Sequence, residues 1–169
     1  MTVTRRFATA LALAAATALP LVAGAAPAGA TALTTVAATA GASDIGDGSW
    51  RPYGNTNPIT ASSSTWRCAG SKKIASDVIA QVCAIRSPGG TAAQGAVIVR
   101  NNRSSLFSAR VYVDLSTADV VMGDWICSSS GVGPHSWSVC FGRTLSVHAK
   151  VHSEAWVNDR NYLGESPWA

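Results

Sequence analysis

The chain has 169 residues, with 13 Lys+Arg against 9 Asp+Glu and a formal net charge of +4. That length allows one domain with short appendages. The charge is too small and too scattered for the dense basic stripe that nucleic-acid binding needs, more so once Arg5 and Arg6 are set aside and 11 basic groups face 9 acidic ones.

The start of the chain reads as an export signal. Two arginines lie in Met1–Arg6, an uncharged Ala/Leu-rich run covers Phe7–Val22, and small-x-small sites follow at Ala23-Gly24-Ala25, Ala28-Gly29-Ala30 and Ala30-Thr31-Ala32. This is the order of regions in a cleaved secretory signal peptide, expected over 1–32. The run is mostly alanine, which barely favours hydrocarbon over water, so no membrane anchor is expected after cleavage. Arg5-Arg6 is followed directly by Phe7, without the spacer of a twin-arginine signal, so the general export route is expected.

Residues 33–64 are rich in Thr, Ala, Gly, Ser and Asn and hold no lasting apolar period. They read as a flexible N-terminal segment, with Trp50 and Tyr53 able to dock on the domain. Residues 65–169 read as a disulfide-stabilised β domain. Thr65–Cys68 is a short strand, Ala69–Lys73 a turn, and Asp77–Arg86 a strand with apolar groups on both faces, as in a buried central strand. Ser87-Pro88-Gly89-Gly90 is a turn. Gly95–Arg100 and Leu106–Leu115 are apolar runs around an Asn/Ser-rich break, which predicts an antiparallel hairpin with Val99 opposite Phe107 and Val97 opposite Ala109. Its outer face would carry Ile98, Arg100, Arg110 and Tyr112, a candidate binding surface. Val120–Cys127 predicts a strand bulged at Gly123, Ser128–His135 a loop, and Ser136–Phe141 a strand. Leu145–Val151 alternates as a half-buried strand that Ala155–Val157 extends. Asn158–Asn161 is a polar turn and Tyr162–Ala169 a tail.

Seven or eight short strands with no confident helix predict an all-β fold, a small antiparallel β-sandwich or barrel. Cys68, Cys83, Cys127 and Cys140 all follow the signal, and an even count in an oxidising compartment predicts two disulfides. Of three pairings, Cys68–Cys83 and Cys127–Cys140 are favoured, since each pair flanks an insert between apolar runs. The spacing offers no Cys-x-x-Cys zinc knuckle.

The Trp-x-Cys opening at Trp66, the strand ending in Cys83, Val99-Arg100-Asn101, Cys140-Phe141-Gly142-Arg143-Thr144 and Ser166-Pro167-Trp168 together resemble a loose group of small exported actinobacterial two-disulfide β proteins. The resemblance covers about 66–169. It implies a fold and an extracellular location, and no activity.

No metal or cofactor site is expected. His148 and His152, four apart on a strand, would be separated by about 13 Å. No serine sits in a Gly-x-Ser-x-Gly elbow, and the acids look scattered, many of them in turns. Trp66, Trp125 and Trp137, near cysteines, are expected to pack in the core, while Trp50, Trp156 and Trp168 are candidates for exposed stacking on sugars. The expected function is that of a secreted, non-enzymatic β-domain binding an extracellular protein or polysaccharide. An inhibitor of an extracellular hydrolase is the alternative, with Ser128–His135 and Lys72-Lys73 as its contact loops, and a small hydrolase is third. Intact-mass measurement of exported protein is expected to show loss of Met1 and the apolar run; a product retaining Met1 would reject cleavage.

Overall fold

The computed structural model describes residues 45–169, so the expected signal peptide over 1–32 and residues 33–44 lie outside the described residues. The described residues form strands and no helix: β1 (Gly46–Asp47), β2 (Ser49–Gly54), β3 (Thr65–Cys68), β4 (Lys72–Ala75), β5 (Val78–Arg86), β6 (Ala92–Asn101), β7 (Phe107–Ser116), β8 (Val121–Val132), β9 (Ser136–Phe141), β10 (Leu145–Ser146), β11 (Glu154–Val157) and β12 (Asn161–Glu165). Sheet A has the order β1-β8-β7-β11-β12. Sheet B has the order β2-β9-β6-β5-β3, with β4 also on β5 and β10 on β6. The pairing of β1 with β8 is parallel, and the other pairings are antiparallel. The fold is all-β, as expected, and takes the form of two sheets instead of a closed barrel.

Alternation explains the packing. Val78, Ala80, Val82 and Ala84 of β5, Val97 and Val99 of β6, and Ala109, Val111, Val113 and Leu115 of β7 turn to one side of their strands and form the core between the sheets. The remaining apolar positions of β5, β6 and β9 make a second cluster on the outside of sheet B, with Cys83, Ile85, Ala96, Ile98 and Val139 at its centre and Tyr53, Ile59, Trp66, Trp137 and Phe141 around it. This is why β5 reads as apolar on both faces.

Both expected disulfides are present and their settings differ. Cys68 and Cys83 are directly opposite in β3 and β5. Cys127 of β8 and Cys140 of β9 join sheet A to sheet B through the core. Gly48, where the chain passes from β1 in sheet A to β2 in sheet B, lies against this bridge. A Cβ there would come within 2.8 Å of Cys127 Sγ and 3.0 Å of the Phe141 carbonyl.

The expected hairpin of residues 95–115 is not formed. β6 pairs with β5, β9 and β10, while β7 pairs with β8 and β11 in the other sheet. Residues 102–106 therefore cross between sheets, a gap of about 10 Å that this polar break is long enough to span. The crossing is held by Asn101, which is fully buried. Its Nδ2 donates to the carbonyls of Ser105, Val132 and Gly133 at 2.8, 2.9 and 3.0 Å, and its Oδ1 accepts from Arg103 N at 3.0 Å. One side chain thus ties the β6–β7 crossing to the β8–β9 crossing.

Other expectations also change. Gly46–Gly54, assigned to a flexible segment, enters both sheets, because Trp50 packs on the core and its Nε1 donates across to Ser128 O at 2.8 Å. Ser128–Val132 continues β8, leaving Gly133–His135 as the connection to β9. Leu145–Val151 alternates but is paired only at Leu145–Ser146. Beyond it, the Val147 and Ala149 carbonyls accept from Arg86 at 2.5 and 2.6 Å instead of from a strand. The expected tail contains β12, an edge strand of sheet A.

Replacing Asn101 by Ala leaves the buried Val132 carbonyl and two part-buried ones without their donor and is expected to destabilise the domain by about 2 kcal/mol. A lowered urea midpoint at unchanged slope checks this; an unchanged midpoint would show that the crossings are held without it.

Candidate functional site

Alternation also determines what the outer face of sheet A carries. Tyr112 and Asp114 of β7, Asp124 of β8, Glu154 and Trp156 of β11 and Tyr162 of β12 come together there. The register sets Asp114 opposite Asp124 and Tyr112 opposite Trp156, and Trp156 in turn opposite Tyr162. Like charges directly opposite in an antiparallel pair destabilise a sheet. Here partners hold them: Tyr112 Oη donates to Asp124 Oδ1 at 2.7 Å, Tyr162 Oη to Glu154 Oε2 at 3.0 Å, and Glu154 N to Asp114 Oδ1 at 2.5 Å. Ser116 Oγ lies 3.5 Å from Asp114 Oδ2.

The rings form a continuous surface. Tyr112 and Trp156 meet edge to face at 5.6 Å, and Trp156 and Tyr162 lie 4.7 Å apart with planes tilted by 33°. Such offset contacts are the favoured aromatic geometries. Tyr162 keeps 42% of its surface exposed. Lys72 Nζ sits 5.6 Å from the Tyr162 ring centre at the sheet edge, on β4, so Lys72-Lys73 lies in a strand instead of a loop.

Burial, reinforced by the neighbouring Glu154 and Asp124 carboxylates, pushes the Asp114 carboxyl up to about 6; the hydrogen bond from Glu154 N and the nearby His152 oppose the rise. Burial and a hydrogen bond to Asp124 push the Tyr112 phenol up, and burial and a bond to Glu154 do the same for Tyr162. Both phenols are therefore neutral donors at physiological pH. Among the described residues no group of three His, Cys, Asp or Glu side chains is arranged to hold a metal ion. The site's chemistry is that of stacking rings beside carboxylate acceptors, which suits a polyhydroxylated ligand.

The four residues expected to share a hairpin face are divided between the sheets. Ile98 is buried in the cluster outside sheet B. Arg100 lies there too, 5.1 Å over the Trp137 ring, and donates to Asn55 Oδ1 and the His135 carbonyl. Arg110 and Tyr112 lie on sheet A, where Arg110 pairs with Asp159. Trp125 is in the core as expected. Trp66 and Trp137 are half-buried outside sheet B, and Trp50 is held by its bond to Ser128. Trp168 keeps 46% of its surface exposed, as expected of it, while Trp156, like Trp50, is half-buried. The convergence of Asp114, Asp124 and Glu154 was missed in the sequence. The available signal was that Asp114 and Glu154 occupy polar positions in otherwise apolar alternating strands, but pairing between distant strands is needed to bring them together.

A raised carboxyl pKa makes Asp114 a pH-dependent liability. The folded state holds the proton more tightly than the unfolded chain, whose ordinary value is 3.8, so the stability from this group is full below about pH 4 and lost as pH rises through 6. Asp114→Asn is therefore expected to raise the melting temperature above the wild type at about pH 8 and to bring little gain at about pH 4. Equal differences at both pH values would remove the carboxyl from this role. No protein-family model, curated protein or solved structure matches the chain.

Proposed function

We propose that this is an exported, non-enzymatic binding domain that takes a neutral or amino-sugar polysaccharide on the outer face of sheet A. The observation that carries the reading is the contiguous Tyr112–Trp156–Tyr162 surface bordered by Asp114, Asp124 and Glu154. The rings supply apolar area for sugar faces, and carboxylate oxygens are acceptors of the kind that sugar hydroxyls bond to. Three acids on one face disfavour uronate or sulfated chains. Export is supported by the signal-like start of the sequence, and two disulfides in a small β domain are consistent with an extracellular setting.

A small glycoside hydrolase is the second reading, favoured by the raised Asp114 carboxyl next to Asp124. Binding is preferred because Asp114 and Glu154 are engaged in bonds that orient the site. The inhibitor alternative loses its projecting loop, since Ser128–Val132 is strand.

Retention on microcrystalline cellulose, chitin and insoluble xylan tests the proposal. The wild type is expected to bind at least one of them, and Trp156→Ala to weaken that binding about tenfold or more. Retention on none would overturn the reading, and release of reducing ends that Asp114→Asn abolishes would favour the hydrolase.

A further inference from the structure

Resting on that reading, we propose that the carbohydrate site extends along β11 to a second stacking platform at Trp168 and the cavity beside it, so that the ligand is a stretch of several linked sugars and not a single sugar. Continuity is built into the strand. His152, Glu154 and Trp156 alternate with the buried Val151, Ser153, Ala155 and Val157, and so face the same way. The Ser116–His152 bridge carries the face past β11, and Trp168 lies over His152 with ring centres 4.4 Å apart. Four residue steps of extended chain run from His152 to Trp156, so the platforms are about 13 Å apart, with Asp114 and Glu154 between them.

The far platform opens on a cavity of about 350 Å³ lined by Thr117, Ala118, Asp119, Ala149, Lys150 and Trp168. That is the size range of small-ligand pockets. An indole and two methyl groups offer an apolar wall, while Asp119, Lys150 and Thr117 offer acceptors and donors at its rim. This combination matches the flat face and hydroxyl edge of a sugar ring.

The platform is exposed yet fixed. Trp168 keeps 46% of its surface exposed. The backbone on either side is tied down: Ala169 and Val151 exchange hydrogen bonds at 2.9 and 3.2 Å, Ser166 N donates to Ser153 O at 2.8 Å, and Ser153 N donates to Ser166 Oγ at 3.0 Å. Arg86 donates to the carbonyls of Val147, Ala149 and Ala169, joining the cavity's Ala149 wall to the Trp168 segment. A large aromatic held in place without being covered is preorganised to bind.

Calorimetric titration of the full protein with cello-, chito- and xylo-oligosaccharides, each from dimer to hexamer, tests the extension. The wild type is expected to bind the hexamer of one series about tenfold more tightly than its dimer. Trp168→Ala is expected to remove that gain with length while leaving dimer affinity unchanged, whereas Trp156→Ala weakens every length. Asp119→Ala with Lys150→Ala, on exposed cavity residues, is expected to act as Trp168→Ala does and covers the case in which that variant fails to fold. Hexamer binding untouched by the cavity variants, or equal loss at all lengths, would overturn the extension and leave the sheet A site standing. Binding of no oligosaccharide and no polysaccharide by the wild type would overturn both.

Discussion

The arrangement of this domain depends on a buried amide. Asn101 ends one central strand of sheet B and reaches carbonyls on two of the routes by which the chain changes sheet, β6 to β7 and β8 to β9. A buried carbonyl without a donor is costly, and the buried Val132 carbonyl, with the part-buried carbonyls of Ser105 and Gly133, is served here by one side chain that is itself shielded from water. Because the chain leaves β6 at this point, β7 enters the opposite sheet between β8 and β11. Had β6 and β7 paired, Tyr112 and Asp114 would have lain beside Ile98 and Arg100, and the carboxylates of β8 and β11 would have been elsewhere.

The two faces of the sandwich have consequently taken different roles. Outside sheet B, the Cys68–Cys83 bridge, Ile85, Ile98 and Val139 form an apolar layer with half-buried aromatics around it. Arg51 and Arg100 lie over Tyr53 and Trp137 there, covering rings that would otherwise face water. Outside sheet A, Tyr112, Asp114, Asp124, Glu154 and Trp156 are half-buried and Tyr162 is exposed, so rings there lie among carboxylates instead of an apolar layer. Opposed acids on neighbouring strands carry an electrostatic cost, offset in part by the Tyr112 hydroxyl and the Glu154 amide.

Between the sheets, packing is tight enough to require glycine. Trp125 is almost fully buried, and a Cβ at Gly46, Gly123 or Gly142 would press on its indole. The Cys127–Cys140 bridge fixes the separation of the sheets close to this ring, and Gly48 lets the chain pass over it. The strand pair β1–β2, placed across the two sheets, closes that side of the core with Trp50. Residues poor in apolar period can therefore belong to the fold when two glycines and one tryptophan find a ready-made slot.

Local properties were legible in the sequence. Alternation in Phe107–Leu115, the apolar run of Val78–Arg86 and the polar turn at Asn158–Asn161 each describe one strand or turn and its immediate surroundings. The even cysteine count and the loop-like inserts between apolar runs, each flanked by a cysteine pair, likewise pointed to the two bridges that form. Amino-acid order by itself determined the all-β class and the inward set of valines, because these follow from side-chain period along the chain; it favoured one of three disulfide pairings, which the tertiary structure then fixed. Only the tertiary structure decided that β6 and β7 part company, that Asp114, Asp124 and Glu154 share a face with Tyr112, Trp156 and Tyr162, and that Trp168 stands over His152. A strand's sequence states which side of it is apolar but not which strand will take its hydrogen bonds, and that choice rests on contacts such as those of Asn101 and Arg86 with carbonyls many residues away.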